Sequence, residues 1–395
     1  MSLPRPPRRR PRHLTRRFFA RFRRNTDADF CSGNRLLLLR SGADFFTELF
    51  AALEAARLSI CLEFYIVRND QTGQRLADSL QQAVARGVKV HFLYDYFGCF
   101  DTPDTFFRDL SDSGIACTAF NPPSWGKRMR WFDRRDHRKI VVIDGQTAFA
   151  GGVNIGDEYA GTLSDDETWR DVGLRIDGPS AGKLRQLFDE NWHEASGQRP
   201  VYPVAPPLMA SDHADAVAIV SGSPYHNRSR IRDAFLLGLA GAATRVCVET
   251  PYFVPDPRFL RALLRAVRRG VQVQLILPAH SDIPLVQIVN RSFYAALLKA
   301  GVEVYERQGA ILHAKAMVID SAWSVIGSAN LDQRSFHRNY EVSVIVASAA
   351  FGRQVQTLLD HEMAGSYPIT LSEHERRGGL IRVLEWLASF VGWFL

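Results

Sequence analysis

Two histidines head the same pattern. His137-x-Lys139-x4-Asp144 runs on to Gly151, Gly152 and Asn154; His313-x-Lys315-x4-Asp320 runs on to Gly327, Ser328 and Asn330. In each copy the Asn lies 17 residues after the His, and the first Gly lies 7 after the Asp. The chain has 11 histidines in 395 residues, so two of them heading identical patterns is not coincidence. Imidazole carries a proton in either direction near neutrality, while Lys and Asn offer donors to anionic oxygens. A doubled His/Lys/Asn set is suited to holding a phosphodiester between two acid–base groups. One match alone would carry little weight, because a lone His or Lys on a strand is usually just satisfied or solvated. Two matches of equal spacing do not arise that way.

The spacing also says which elements carry these residues. Residues 139–143 (KIVVI) are a short β-rich run, followed by Asp144, Gly145 and Gln146 and then a second run, TAFA. This predicts a hairpin turning on Gly145-Gln146, with Gly at the first central position. That register sets His137 opposite Asn154 and Lys139 opposite Gly152, on one face of the sheet. Gly152 would then leave room for a ligand to approach the backbone. The same arithmetic turns the second hairpin on Ser321-Ala322, with His313 opposite Asn330 and Lys315 opposite Ser328. Asp144 and Asp320, although integral to the motifs, fall at the turns and are expected to be structural.

The duplication reaches beyond the motifs. Residues 60–67 (ICLEFYIV) match 247–254 (CVETPYFV) as a buried strand, Tyr65 aligning with Tyr252. Residues 80–90 (LQQAVARGVKV) match 263–273 (LLRAVRRGVQV), a helix closed by Gly87 or Gly270 and followed by a strand. Residues 114–118 and 301–305 repeat the pattern again. Strands alternating with helices predict an α/β fold of two pseudo-symmetric lobes, each a mixed sheet flanked by helices. Each lobe carries half of the chemistry, which places the active site at their interface. The expected division is a basic arm over residues 1–32, a first lobe over 33–205, a second over 206–370 and an amphipathic tail over 371–395. The seam falls in the Pro-, Gly- and Ser-rich stretch 194–214.

At this point the motifs, with the flanking segments 136–145 (DHRKIVVIDG), 151–159 (GGVNIGDEY), 169–179 (WRDVGLRIDGP) and 250–255 (TPYFVP), resemble the phospholipase D superfamily, and within it the bacterial cardiolipin synthases. The similarity spans about residues 35–365. The chain lacks the usual pair of N-terminal transmembrane helices and so resembles the shorter members. The resemblance implies both lobes to be phospholipase D-like. It also implies a ping-pong phosphatidyl transfer from phosphatidylglycerol to a second phospholipid or alcohol, making cardiolipin. One imidazole attacks phosphorus to give a phosphohistidine, and the other protonates the departing alkoxide and later activates the acceptor. By family analogy His137 is the nucleophile and His313 the acid, although the near-symmetry of the copies leaves the order open. Lys139, Lys315, Asn154 and Asn330 would meet the non-bridging oxygens. Asp171 and Glu341 match the family positions that orient the imidazoles. No metal and no cofactor are expected.

The rest of the chain bears on location. The five cysteines form no C-x-x-C; Cys61 and Cys247 fall in predicted strands, as small core residues would in a reducing compartment. Residues 1–26 hold ten Arg and no acidic residue. With a formal net charge of +7 for the chain, the remainder nets about −3, so the basicity resides in the arm. Phe18, Phe19 and Phe22 among the arginines suggest contact with anionic lipid. At the other end, residues 380–395 are apolar except for Arg382, Glu385, Ser389 and Gly392, which form one narrow stripe on a helix. Sixteen residues span about 24 Å, short of the roughly 30 Å hydrocarbon core, and Trp386, Trp393 and Phe394 suit the headgroup boundary. The expectation is a peripheral protein of the inner membrane, on its cytoplasmic side, acting on phospholipids without nucleic acid or an obligatory protein partner. A phospholipase D-type hydrolase, in which water replaces the acceptor, is the alternative, and a nuclease of the same fold is a more distant one.

Overall fold

The hairpins form, with a register one residue away from the expected one. In the computed structural model, which describes residues 15–123, 133–164, 167–203, 205, 215–225, 229–378 and 385, the first half runs α1 (Arg16–Thr26), β1 (Cys31–Leu39), α2 (Gly42–Ala55), β2 (Ser59–Phe64), α3 (Gln71–Ala85), β3 (Lys89–Asp95), α4 (Asp104–Asp112) and β4 (Ala116–Phe120). It continues through β5 (Arg135–Asp136), β6 (Ile140–Ile143), β7 (Thr147–Gly151), α5 (Asp157–Ala160), β8 (Gly173–Asp177) and α6 (Pro179–Ser196). The second half opens with β9 (Asp215–Gly222), α7 (Arg230–Gly241), β10 (Arg245–Glu249), α8 (Pro257–Arg268), β11 (Gln272–Pro278), α9 (Pro284–Ser292), α10 (Tyr294–Lys299) and β12 (Glu303–Arg307). It ends with β13 (Ala316–Ile319), β14 (Trp323–Gly327), α11 (Gln333–His337), β15 (Asn339–Ala347), α12 (Ala349–Ala364), β16 (Ser366–Ile369) and α13 (Leu371–Arg376).

Ile143 pairs with Thr147 and Ile319 with Trp323, so each loop holds three residues rather than two. Asp144 and Asp320, which a two-residue turn would leave in the strand, take left-handed backbone conformations, as do Gly145 and Ser321 after them. The Asp is what selects this loop. Asp144 accepts backbone N–H bonds from Arg57, Leu58 and Ser59, and Asp320 accepts them from Ala243, Thr244 and Arg245. Each carboxylate thereby ties its hairpin to the start of the neighbouring strand, β2 or β10. One consequence is that Lys315 lies opposite Gly327, not Ser328, with the Gly327 N–H donating to its carbonyl.

Pairing also corrects the internal repeat. Glu63 faces Ile140 and Glu249 faces Ala316, each the third residue after its histidine. Glu63 therefore corresponds to Glu249 and Ile66 to Tyr252, one residue away from the alignment that matched the two tyrosines. The outer elements agree with expectation. Helices α3 and α8 run into Gly87 and Gly270, at φ +89° and +84°, and strands β3 and β11 follow in parallel with β2 and β10.

The two lobes share one sheet. Its order is β4-β3-β2-β6-β7-β8-β1-β9-β15-β14-β13-β10-β11-β12-β16, which reads the same outward in both directions from the β1–β9 junction until the added β16. Strands such as β6 (IVVI) and β13 (AMVI) are buried throughout, as a sheet covered on both faces requires. Helices α6 and α12 build a middle core through Leu184, Phe188, Phe351, Val355 and Leu359, which takes in strand residues of both halves. This shared core fixes how the halves meet.

The basic arm is shorter than residues 1–32. Thr15 caps α1 by accepting from the Phe18 N–H, and β1 starts at Cys31. Phe18 and Phe22 are buried, with ring centroids 5.0 and 5.4 Å from that of Trp323 in the core of the second lobe. The Phe–x3–Phe spacing makes one apolar stripe, and tertiary packing uses it before any lipid could. The arginines of α1 remain on its outer face. The apolar C-terminal segment lies outside the described residues, apart from Glu385, which accepts from Arg377 at 2.7 Å.

Candidate active site

Backbone pairing across the seam delivers the two histidines. Strand β5 runs parallel to the start of β15, Arg135 beside Asn339 and Asp136 beside Tyr340, and the His137 N–H donates to the Tyr340 carbonyl at 2.9 Å. The other copy mirrors this. Arg170 bridges Leu312 in parallel, and the His313 N–H donates to the Arg170 carbonyl at 2.7 Å. In each case the accepting carbonyl belongs to the residue just before a carboxylate. Each histidine is thus set beside the carboxylate of the opposite half.

The side chains complete the crossing. His137 Nδ1 donates to Glu341 at 3.0 Å, and His313 Nδ1 donates to Asp171 at 2.6 Å. A carboxylate on Nδ1 places the ring proton there and leaves Nε2 free to act as nucleophile or, once protonated, as acid. The pairs are otherwise unlike. Glu341 also accepts from the Ser328 hydroxyl and from Asn339 Nδ2, while Asp171 accepts from the Val172 N–H at 2.7 Å. Burial opposes ionisation of Glu341, but His137, Lys139 and Ser328 outweigh it and hold the carboxyl below its usual range. Burial of Asp171, only partly offset by Lys315 and the Val172 N–H, pushes its pKa up to about 6.

Gly152 has a different purpose from the one expected. A Cβ at this position would lie 2.1 Å from Asp171 Oδ1, so the vacant volume is filled by the orienting carboxylate and not by a ligand. Ser328 holds the equivalent place in the second copy, where the longer Glu341 accepts its hydroxyl. Gly with Asp and Ser with Glu are two solutions to one packing problem.

The motif lysines lie beneath the imidazoles. Lys139 Nζ donates to the His137 carbonyl at 2.7 Å, and Lys315 Nζ donates to the His313 carbonyl and sits 2.8 Å from His313 Nδ1. Burial, only partly offset by nearby carboxylates, lowers Lys139 to about 7 and Lys315 to about 8. Burial likewise lowers His137 to about 4 and takes His313 well below its ordinary value, so both rings rest neutral. The Asn side chains differ. Asn154 is engaged, accepting from the Ile66 N–H and donating to the Tyr159 hydroxyl. Asn330 Oδ1 has no partner among the described residues.

Both histidines and both asparagines line one cleft of about 380 Å³. Tyr65, Arg135, Trp169, Tyr252, Asp282 and Arg334 line it too and were not singled out from the sequence. Two of these arginines flank the motifs in sequence, Arg135 two residues before His137 and Arg334 four after Asn330. That proximity was the available signal. Asp144 and Asp320 stand at the far ends of their hairpins and take no part in the cleft.

Behind Asp171 lies a second cavity of about 240 Å³, lined by Asp171, Glu249, Ala314 and Glu362 among others. At the position of Ala314 the first copy carries Arg138, which reaches toward Glu341. The Arg138 guanidinium donates to the Glu341 and Gly222 carbonyls and lies 3.7 Å from Glu63. Burial raises Glu249 well above its ordinary value, with Glu362 and Asp171 adding to the effect and Arg307 opposing it.

A sheet doubled about its centre, with one His and one carboxylate from each half meeting in a cleft, defines a two-lobed phospholipase D-type fold. The family described as "Cardiolipin synthase, PLD-like domain" matches residues 49–192 and 237–363, and the chain belongs to it. Among curated relatives, the cardiolipin synthase of Geobacillus kaustophilus is 37% identical over 311 residues, covering 78% of this chain and 62% of that protein. Cardiolipin synthase A of Pseudomonas putida is 36% identical over 344 residues, covering 86% and 70%. The chain thus spans about two thirds of the length of these relatives. Among solved structures, phosphatidylserine synthase of Haemophilus influenzae aligns with a TM-score of 0.71 over 96% of this chain and all of that one, at 14% identity. Polyphosphate kinase of Porphyromonas gingivalis aligns at 0.56, covering 86% of this chain and 49% of that one, at 13% identity. At these identities the two structures speak for the fold alone.

Proposed function

We propose that the protein is a phosphatidyltransferase that makes cardiolipin from phosphatidylglycerol and a second phospholipid or alcohol acceptor. The observation that carries this reading is the pair of histidines in one cleft, each held by a carboxylate of the opposite half, together with the cardiolipin synthases among the relatives. His137 Nε2 attacks phosphorus as the P–O bond to the headgroup glycerol breaks, and His313 gives that alkoxide its proton. The phosphohistidine then meets the acceptor hydroxyl. His313 takes its proton, the new P–O bond forms and the P–N bond breaks.

Charge suits each step. Glu341, held ionised, keeps the His137 proton on Nδ1 and stabilises the positive charge that develops on the ring. His313 rests neutral and must gain a proton to act as acid; the anionic phosphodiester, entering beside it, favours that gain. Lys139, Lys315, Arg135, Arg334 and Asn330 are the donors for the non-bridging oxygens. The protein acts as a peripheral membrane protein at the cytoplasmic face of the inner membrane, a reading supported by its Arg-rich start. No helix among the described residues is long and apolar enough to cross a bilayer.

The test is mass spectrometry of the products from phosphatidylglycerol vesicles with EDTA present. Cardiolipin and free glycerol are expected. Phosphatidic acid alone would make the protein a hydrolase, and turnover only of a nucleic-acid diester would overturn the lipid reading.

A further inference from the structure

The lips of the cleft are apolar on both sides. On one side stands α9. Val286, Val289 and Asn290 form its buried face, while Leu285 and Ile288 on its outer face are 39% and 37% exposed, and Ile283 just before it is 42% exposed. Leu285 and Ile288 thus add two exposed apolar side chains on a helix whose other apolar residues are buried. On the other side, the turn after β3 presents Phe97 at the cleft and Phe100 beyond it, 74% exposed. Ile283, Val286 and Phe97 line the cleft itself, so these apolar surfaces are continuous with the reactive centre.

The interior of the cleft is the opposite in character. Arg135, stacked 4.4 Å over the Phe97 ring, and Arg334 line it with the histidines, as do Asp282 and Asp332. Polar donors beside the histidines, with apolar residues continuing outward, match the order of groups in a phospholipid, phosphate first and acyl chains beyond. At about 380 Å³ the cleft is near the lower end of small-molecule sites, so it takes a headgroup and leaves two acyl chains outside.

We propose that α9 and the Phe97–Phe100 turn form the membrane-docking surface, seated at the bilayer so that the chains of the bound lipid stay in the hydrocarbon while its phosphate reaches the histidines. This rests on the phosphatidyltransferase reading for its substrate, but not for its binding test. The chosen occupant is a phospholipid bilayer with anionic headgroups. Its energetics need only shallow insertion of the exposed parts of these side chains.

The experiment compares full-length protein with Leu285→Asp/Ile288→Asp and, separately, Phe100→Asp. None of these residues touches the cleft. Three readings are taken: co-sedimentation with phosphatidylglycerol vesicles, turnover on those vesicles, and turnover on a monomeric short-chain phosphatidylglycerol. Vesicle affinity and vesicle turnover should each fall roughly tenfold or more, with soluble turnover within about twofold of the parent. Unchanged vesicle affinity would overturn the proposal. So would an equal loss on the soluble substrate, which would mean that the cleft itself was damaged. If the parent is a dimer that these substitutions dissociate without loss of vesicle binding, the surface is a self-association face and the proposal fails. A parent protein that binds vesicles through this surface but transfers nothing would sink the enzymatic reading alone.

Discussion

His137 Nδ1 and Glu341 Oε1 lie 3.0 Å apart although 204 residues separate them in the chain, and the reciprocal pair, His313 and Asp171, meets at 2.6 Å. Neither half holds its own histidine. This exchange makes the two halves one structural unit at the candidate site, because separating them would leave both imidazoles without these acceptors. Asp171→Asn should therefore perturb His313 and not His137. In ¹⁵N-histidine NMR spectra the Nδ1 signal of His313 should move while that of His137 stays, and turnover should drop about 10²–10⁴-fold with the fold retained. A shift at His137 instead would refute the crossed arrangement.

Gly152→Ala places a methyl group 2.1 Å from Asp171 Oδ1. Displacing that carboxylate should cost about 1–3 kcal/mol in stability and most of the activity. Ser328→Ala, at the equivalent position, creates no clash but removes a hydroxyl that donates to Glu341 and accepts from the Val342 N–H, and about 1 kcal/mol is expected. Chemical denaturation of the two variants tests the contrast; equal losses would mean that the positions are packed alike.

The pH dependence follows from the groups around the histidines. Asp171 must be ionised to orient His313, so kcat/KM should fall as pH drops through about 6. His313 must gain its proton as acid and Lys139 and Lys315 must be protonated to meet phosphate, so it should fall again as pH rises, the ammonium groups being lost through about 7 to 8. The alkaline limb of kcat should lie higher, because a bound diester anion favours both ammonium forms. A profile of kcat/KM flat from pH 5 to 9 would exclude these roles.

Asp144→Ala and Asp320→Ala test the structural reading of the third motif residue. Each carboxylate accepts three backbone N–H groups from the strand start beside it. Its loss should cost about 2–4 kcal/mol in unfolding while leaving kcat of the folded fraction within a few-fold. A large drop in kcat at unchanged stability would instead place the Asp in the chemistry.

Phe22→Ala tests whether the end of the basic arm belongs to the fold. The ring is fully buried against Trp323 and Phe30, so about 3–5 kcal/mol should be lost. An unchanged melting temperature would return α1 to the solvent.

The candidate site was legible in the sequence because it consists of residue types at fixed spacing, and spacing survives without a structure. The repeated His, Lys, Asp and Asn, the two hairpins, the helices closed by Gly87 and Gly270 and the doubled α/β plan could all be read there. So could the turn position of Asp144 and Asp320. Local geometry was less legible. A loop of three residues rather than two moved each hairpin register by one, since a carboxylate drawn to the backbone of a distant strand leaves no mark within the turn itself. The same one-residue slip hid the equivalence of Glu63 and Glu249. The tertiary structure alone decided which carboxylate serves which histidine, that Gly152 makes room for Asp171, that Phe18 and Phe22 turn inward, and that Arg135, Arg334, Tyr65 and Tyr252 converge on the cleft. Each of these depends on how the two halves meet across the β1–β9 junction and the core shared by α6 and α12. Pattern along a chain determines what each half can offer; only packing between halves determines which groups come within a hydrogen bond of one another.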